Sequence, residues 1–326
     1  MLSRVANSIY WIGRYLERAE NYARFLDVNF NLMLDLPKDQ KEQWLPLIQI
    51  TGDLEFYNTR YKDYNKHDVI HFMAFDEGNP SSIISSISKA RENAREIREN
   101  IIKETWEKLN ELYLYVKNVA ESSEWMEGDP IPFFTSVKEY VMLINGIGYA
   151  TVARTEGWYF RLLGVYLERA DKTSRIVDVK YHVLLPTPTF VGTPLDYLHW
   201  SAMLKSVSGF NTYRRLYGNL EASKVVDFLL LNNMFPRSVF HCIMEAEECL
   251  RNISGNNSRG FTNSPEKTIG ELRSKLEFTT VEEIIDYGLH QYIDQLQVKI
   301  INISNEVNDT FFQLKNNFVS QNMMQE

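Results

Sequence analysis

The sequence predicts an all-α protein: a multi-helix bundle with an internal pseudo-repeat of one Glu-Arg helix and a long C-terminal helix. Three observations carry this. Apolar residues recur at helical spacing almost everywhere, and period-2 alternation is hard to find. The ten prolines, at 37, 46, 80, 130, 132, 186, 188, 194, 236 and 265, leave long proline-free stretches between them. Finally, a shift of 151 lays residues 164–179 over residues 13–28 with nine of 16 pairs identical.

Taken along the chain, Ile9, Ile12, Leu16, Ala19, Ala23, Leu26 and Phe30 alternate +3 and +4. They form a narrow apolar stripe on a helix of about 30 residues that Pro37 ends. Ile83, Ile87, Ala90, Ala94, Ile97 and Ile101 line a second helix, capped by Ser81 or Ser82. Its pattern continues through Trp106, Leu109 and Tyr113 towards Gly128-Asp129-Pro130. Ser136 with Glu139 resembles a capping box that opens another helix. Thr193-Pro194, Phe235-Pro236 and Ser264-Pro265-Glu266 read as helix starts with proline in the first turn. Residues 252–264 form the clearest loop, small and polar. Thr280 above Glu283 opens the last helix, whose apolar line runs from Ile285 through Leu296 and Val307 to Leu314 and Phe318. We read residues 1–326 as a single domain with pseudo-repeat halves of about 1–150 and 151–326, because no Ser/Gly-rich linker separates them.

Composition narrows the function. The 326 residues are 44% hydrophobic and 24% charged, the balance of a soluble globular chain. Thirty-five Lys+Arg against 43 Asp+Glu give a net charge of −8, with a pI near 5.4. That argues against a nucleic-acid partner. No apolar run approaches the roughly 20 residues that span a bilayer. The first residues lack a signal-peptide core, and two cysteines fit a reducing compartment, so a cytoplasmic location is expected.

The matched segments share more than apolar packing demands. Glu17, Glu20, Arg24 and Asp27 follow at +3, +4, +3, and Glu168, Asp171, Arg175 and Asp178 repeat the spacing. This stripe flanks the apolar one. Gly13 and Gly164 continue it, where a missing side chain lets another backbone come close, and Arg18 and Arg169 lie to the other side. Arg91, Arg95 and Arg98 form a complementary stripe whose forks suit carboxylates. If that stripe sets the register, its arginines touch Glu17 or Glu168. One reading makes all these residues interhelical ion pairs. The other makes them a polar cleft, lined by Glu17, Glu168 and the three arginines, for an anionic or peptide-like ligand, with a glutamate as general base.

Other chemistry finds little support. A carboxylate-bridged metal pair wants Glu-x-x-His on two helices, whereas the repeats offer Glu-x-x-Glu and Glu-x-x-Asp, so no metal or other cofactor is expected. Asp68-x-x-His71 and Asp196-x-x-His199 read as helix-turn contacts. His241 with Glu245 and Glu248 shares a helix face but needs further ligands. Cys242 and Cys249 have the spacing of core residues. There is no nucleophile elbow, phosphate loop or Rossmann fingerprint.

Tyr15-Leu16-Glu17-Arg18-Ala19-Glu20 and Tyr166-Leu167-Glu168-Arg169-Ala170-Asp171 resemble the Glu-Arg signature of the bacterial alpha-E family, a helical domain of otherwise unknown function. Asn79-Pro80-Ser81-Ser82, Ala90-Arg91-Glu92-Asn93-Ala94-Arg95, Trp106-Glu107-Lys108-Leu109-Asn110 and Phe235-Pro236-Arg237-Ser238-Val239 are similar to further family blocks. The resemblance implies association with ATP-grasp-type amide ligases and transglutaminase-like peptidases, in making or processing a peptide or peptide tag. It carries no catalytic residues. The expectation is therefore a non-catalytic partner or substrate-presenting subunit, with a ligand-binding protein or enzyme using the Glu/Arg cleft as the alternative.

Overall fold

The computed structural model describes residues 1–35, 44–122, 124–183, 193–258 and 260–313. Among these the chain consists of helices joined by turns and short loops and holds no strand. The helices are α1 (Ser3–Asp35), α2 (Leu45–Thr51), α3 (Leu54–Arg60), α4 (Lys66–Ile70), α5 (Ile83–Glu96), α6 (Lys103–Glu121), α7 (Glu124–Glu127) and α8 (Ile131–Thr151). The second part adds α9 (Glu156–Val183), α10 (Pro194–Ser206), α11 (Phe210–Tyr217), α12 (Ala222–Leu230), α13 (Val239–Ser254), α14 (Ser264–Phe278), α15 (Val281–Tyr287) and α16 (Leu289–Val307). The all-α expectation holds. No helix among the described residues is long and apolar enough to cross a membrane.

Side-chain caps set many of the starts. Asn65, Ser82, Thr193, Ser238, Asn263 and Thr280 each accept a hydrogen bond from a backbone N–H of the first turn. At Thr280 the reciprocal bond from Glu283 completes a capping box. Two other anticipated starts move. Ser136 lies inside α8, which opens at Ile131 with Pro132 in its first turn. Pro236 belongs to the turn before α13, and Ser238 is the cap.

The centre of the molecule is the pair α1 and α9. Helix α5 packs on α1, α13 and α16 pack on α9, and α8 and α10 complete the surround. Enclosure on all sides overturns the narrow stripe foreseen for α1. Tyr10, Leu16, Glu17, Ala19, Glu20, Tyr22, Ala23, Phe25 and Leu26 are all buried, and they point all round the helix. Burying each large apolar side chain contributes about 1.5–3 kcal/mol.

The helix expected to run on from α5 breaks after Glu96. A short 3₁₀ turn, Arg98–Asn100, and extended backbone at Ile101 and Ile102 fold α6 back against α5. The C-terminal helix is also interrupted. Gly288, at φ 101°, separates α15 from α16, and a π turn over Asn308–Phe312 follows Val307. That φ is one glycine adopts freely. The helical spine of the molecule is therefore α1 with α9, not the C-terminal segment. The predicted stop at Pro37, Pro186 and Pro188, and the final positions Leu314 and Phe318 lie outside the described residues.

Candidate functional site

Helices α1 and α9 run side by side in the same direction, because their contacts rise together in number. Met1 meets Glu156, Arg14 meets Glu168, and Glu17 meets Arg169, pairs 152–155 residues apart. Two glycines let the backbones touch. A Cβ on Gly13 would sit 2.3 Å from the carbonyl oxygen of Arg161, and one on Gly164 would sit 2.2 Å from that of Tyr10. Only a residue without a side chain fits at either point.

Close approach brings the two Glu-Arg dipeptides within reach, and they exchange partners. Arg169 clasps Glu17 through Nε at 2.9 Å and Nη2 at 2.8 Å. Arg18 clasps Glu168 through Nε at 2.7 Å and Nη2 at 3.0 Å. Both are two-pronged guanidinium–carboxylate pairs, the geometry in which arginine outperforms lysine. Both glutamate side chains are at most 1% exposed.

Each glutamate then gathers further donors, from different places. Glu168 receives Arg14 Nε at 2.8 Å, and Lys172 Nζ lies 3.6 Å away. Glu17 receives Asn21 Nδ2 at 3.0 Å and Arg237 Nη1 at 3.0 Å. Arg237 stands in the turn before α13 and also donates to Glu20 at 2.7 Å. Burial alone would raise the Glu17 carboxyl, but Arg169 and Arg237 outweigh it and hold it down to about 2. Burial pushes Glu168 the same way, and Arg18, Arg14 and Lys172 outweigh it, so Glu168 lies well below the usual carboxylate range. Both are carboxylates at neutral pH, with their oxygens occupied. A general base needs a free oxygen and a pKa near the working pH, and neither glutamate has one.

The remaining stripe residues extend this network outwards. Arg24 donates to Glu20 through Nε at 2.9 Å and Nη2 at 2.6 Å. Arg175 holds Asp171 through Nε at 3.0 Å, and Lys172 adds a bond at 3.0 Å. Burial raises the Asp171 carboxyl, but Lys172 and Arg175 reverse this and lower it. Asp27 pairs with Lys138 of α8, and Asp178 with His290 of α16 at 2.7 Å. Each stripe thus ends on a different neighbouring helix.

Arg91, Arg95 and Arg98 are not part of this. Helix α5 turns its apolar face, Ile83, Ile87, Ala90 and Ala94, to the core, which leaves Arg91 and Arg95 facing α6 and solvent, and Arg98 lies in the 3₁₀ turn that follows. Arg91 donates to Asn110 at 2.8 Å and lies over the rings of Tyr113 and Trp106. Arg95 pairs with Glu92, and Arg98 lies over Trp106. The expected contacts with Glu17 and Glu168 are not made, so the register argument built on these arginines fails. The cleft foreseen between them and the two glutamates is not assembled. Arg14, Lys172 and Arg237 do what the α5 arginines were expected to do. Arg237 had a visible signal: where Arg14 stands, the 151 shift places Val165, so one glutamate had to find its second arginine elsewhere.

The other candidates are accounted for. Asp68 accepts from Asn65 in the cap of α4, and His71 meets the hydroxyl of Tyr61 at 2.6 Å. Asp196 lies in the first turn of α10, where its N–H donates to Thr193. His241 bonds the carbonyl of Asn233 rather than gathering ligands. Cys242 and Cys249 are buried, and burial pushes the Cys242 thiol up to about 12, where it is not a nucleophile.

The model of the alpha-E family, described as a predicted alpha-helical domain with a conserved ER motif, matches residues 1–312. An uncharacterized protein of Mycobacterium bovis and one of Mycobacterium tuberculosis are each 20% identical over 298 residues, 86% of this chain and 33% of theirs. The chain thus spans about a third of the length of the curated relatives it matches. No solved structure matches it.

Proposed function

We propose that this chain, which belongs to the alpha-E family, is a non-catalytic helical partner. It acts as a scaffold or substrate-presenting subunit beside an ATP-grasp-type amide ligase and a transglutaminase-like peptidase, in the synthesis or processing of a peptide or peptide tag. The observation that carries this reading is the sealing of the Glu-Arg pairs. The residues of the signature are consumed in joining α1 to α9, with the glutamates at most 1% exposed. A signature spent on rigidity fits a presenting platform better than a reaction centre. The matching region is only a third of the mycobacterial relatives, which fits a unit that works attached to, or beside, other protein. The identity of the ligase and peptidase comes from the resemblance to the family.

The test is gentle isolation of the tagged protein from its own cells, followed by native mass spectrometry. An accompanying ATP-grasp-type ligase in fixed stoichiometry is the expected result. A chain that turns over an acyl or peptide substrate alone, and never carries a ligase, overturns the reading.

A further inference from the structure

A second feature of the α1–α9 seam is independent of any partner. Beside Glu168, the seam opens into a cavity of about 320 Å³ between α1, α9 and α16. Arg14, Arg18, Lys172 and Arg175 all line it, with Asp171, and Trp11 forms part of the wall. The carboxylates that engage these four cations are Glu168 and Asp171, so two positive charges are left in excess around one recess that opens to solvent. These cations line the recess with little of their own surface in water: the side chains of Lys172, Arg14, Arg18 and Arg175 are 7%, 11%, 15% and 21% exposed.

Donor counting points the same way. A guanidinium carries five N–H groups. Arg175 uses Nε on Asp171, and Arg18 uses Nε and Nη2 on Glu168. Among the described residues, the terminal nitrogens of Arg175 and Nη1 of Arg18 meet no carboxylate. A structural clasp alone needs no such surplus, and the Glu17 side of the seam keeps its surplus to one charge, with Arg24, Arg169 and Arg237 against Glu17 and Glu20. Cations of one sign lining a concave recess focus the field there and draw in a counter-charge.

We infer that this cavity binds a small dianion, a phosphate-bearing or dicarboxylate molecule, its oxygens on Arg175, Arg18 and Lys172 and its carbon part against Trp11. The inference stands apart from the partner reading, and its failure would leave that reading intact.

Isothermal titration of the full chain with inorganic phosphate, pyrophosphate and glutarate tests it. At least one should bind saturably at millimolar concentration or below, with affinity falling as salt rises. A preference for phosphate or pyrophosphate assigns a phosphorylated ligand, and a preference for glutarate a dicarboxylate. Arg175→Gln should weaken binding tenfold or more, Arg175→Lys less, and Arg95→Gln, on the far face of α5, not at all. Circular dichroism confirms that each variant is folded. Absence of saturable binding by the unmodified chain, or equal losses in Arg175→Gln and Arg95→Gln, overturns the inference.

Discussion

Glu17 and Glu168 are matched by the 151 shift, and each receives a two-pronged arginine from the other's helix, but their settings differ. Glu168 is supplied wholly by the two central helices, with Arg14 and Arg18 on α1 and Lys172 on α9. Glu17 has the neutral Asn21 where Glu168 has Lys172, and draws its second arginine from position 237. The first site therefore closes the seam and borders a cationic cavity, whereas the second ties the turn before α13 to that seam. One dipeptide motif thus serves two purposes, and its outer partners decide which.

Acid should have the largest effect, since it removes both sites together. The folded-state values are depressed, so the stabilisation is fully present above the ordinary carboxylate value and is lost as pH falls through the folded one. For Glu17 that window runs from 4.5 down to about 2. Stability against unfolding, followed by circular dichroism, should fall steeply as pH drops through that window.

Glu168→Gln comes next. It leaves Arg14, Arg18 and Lys172 buried around a neutral amide, and removing one partner of such a group costs about 3–5 kcal/mol. Glu17→Gln should cost less, because Arg237 retains Glu20. Urea melts that rank the two variants in the opposite order would break the comparison.

Gly13→Ala and Gly164→Ala should each cost about 1–3 kcal/mol by the same melts, towards the upper end because the obstructing atom is backbone. Arg95→Gln should change stability by less than about 0.5 kcal/mol, since its side chain is 65% exposed and its partner Glu92 is 42% exposed. A large loss there would put α5 back into the network.

Much of the fold was legible in the sequence, and for local reasons. Apolar spacing and caps at Ser82, Thr193 and Thr280 are written within a few residues of the elements they set. Gly13 and Gly164 were also readable, since a glycine beside a packed face signals close backbone approach. The depth of α1 was not. Periodicity finds an apolar face, and nothing local shows that Glu17 and Arg18 beyond its flank are buried too, because their partners Arg169 and Glu168 lie 152 and 150 positions away. For the same reason spacing alone does not tell Arg91 and Arg95, which face α6 and solvent, from Arg237, which stands alone in a turn and reaches Glu17. The break at Gly288 was equally available, but the continuing apolar line beyond it masked the glycine.

The central claim is that the Glu-Arg exchange is a coupled structural clasp. A double-mutant cycle on Glu168→Gln and Arg18→Gln, read by urea unfolding, tests it most directly. The clasp predicts that the double variant is more stable than the sum of the single losses by at least about 1.5 kcal/mol, because the loss at Arg14 and Lys172 is common to both backgrounds while Arg18 and Glu168 no longer strand each other. Losses that add to within about 0.5 kcal/mol would show that the two residues act separately, and would contradict the clasp.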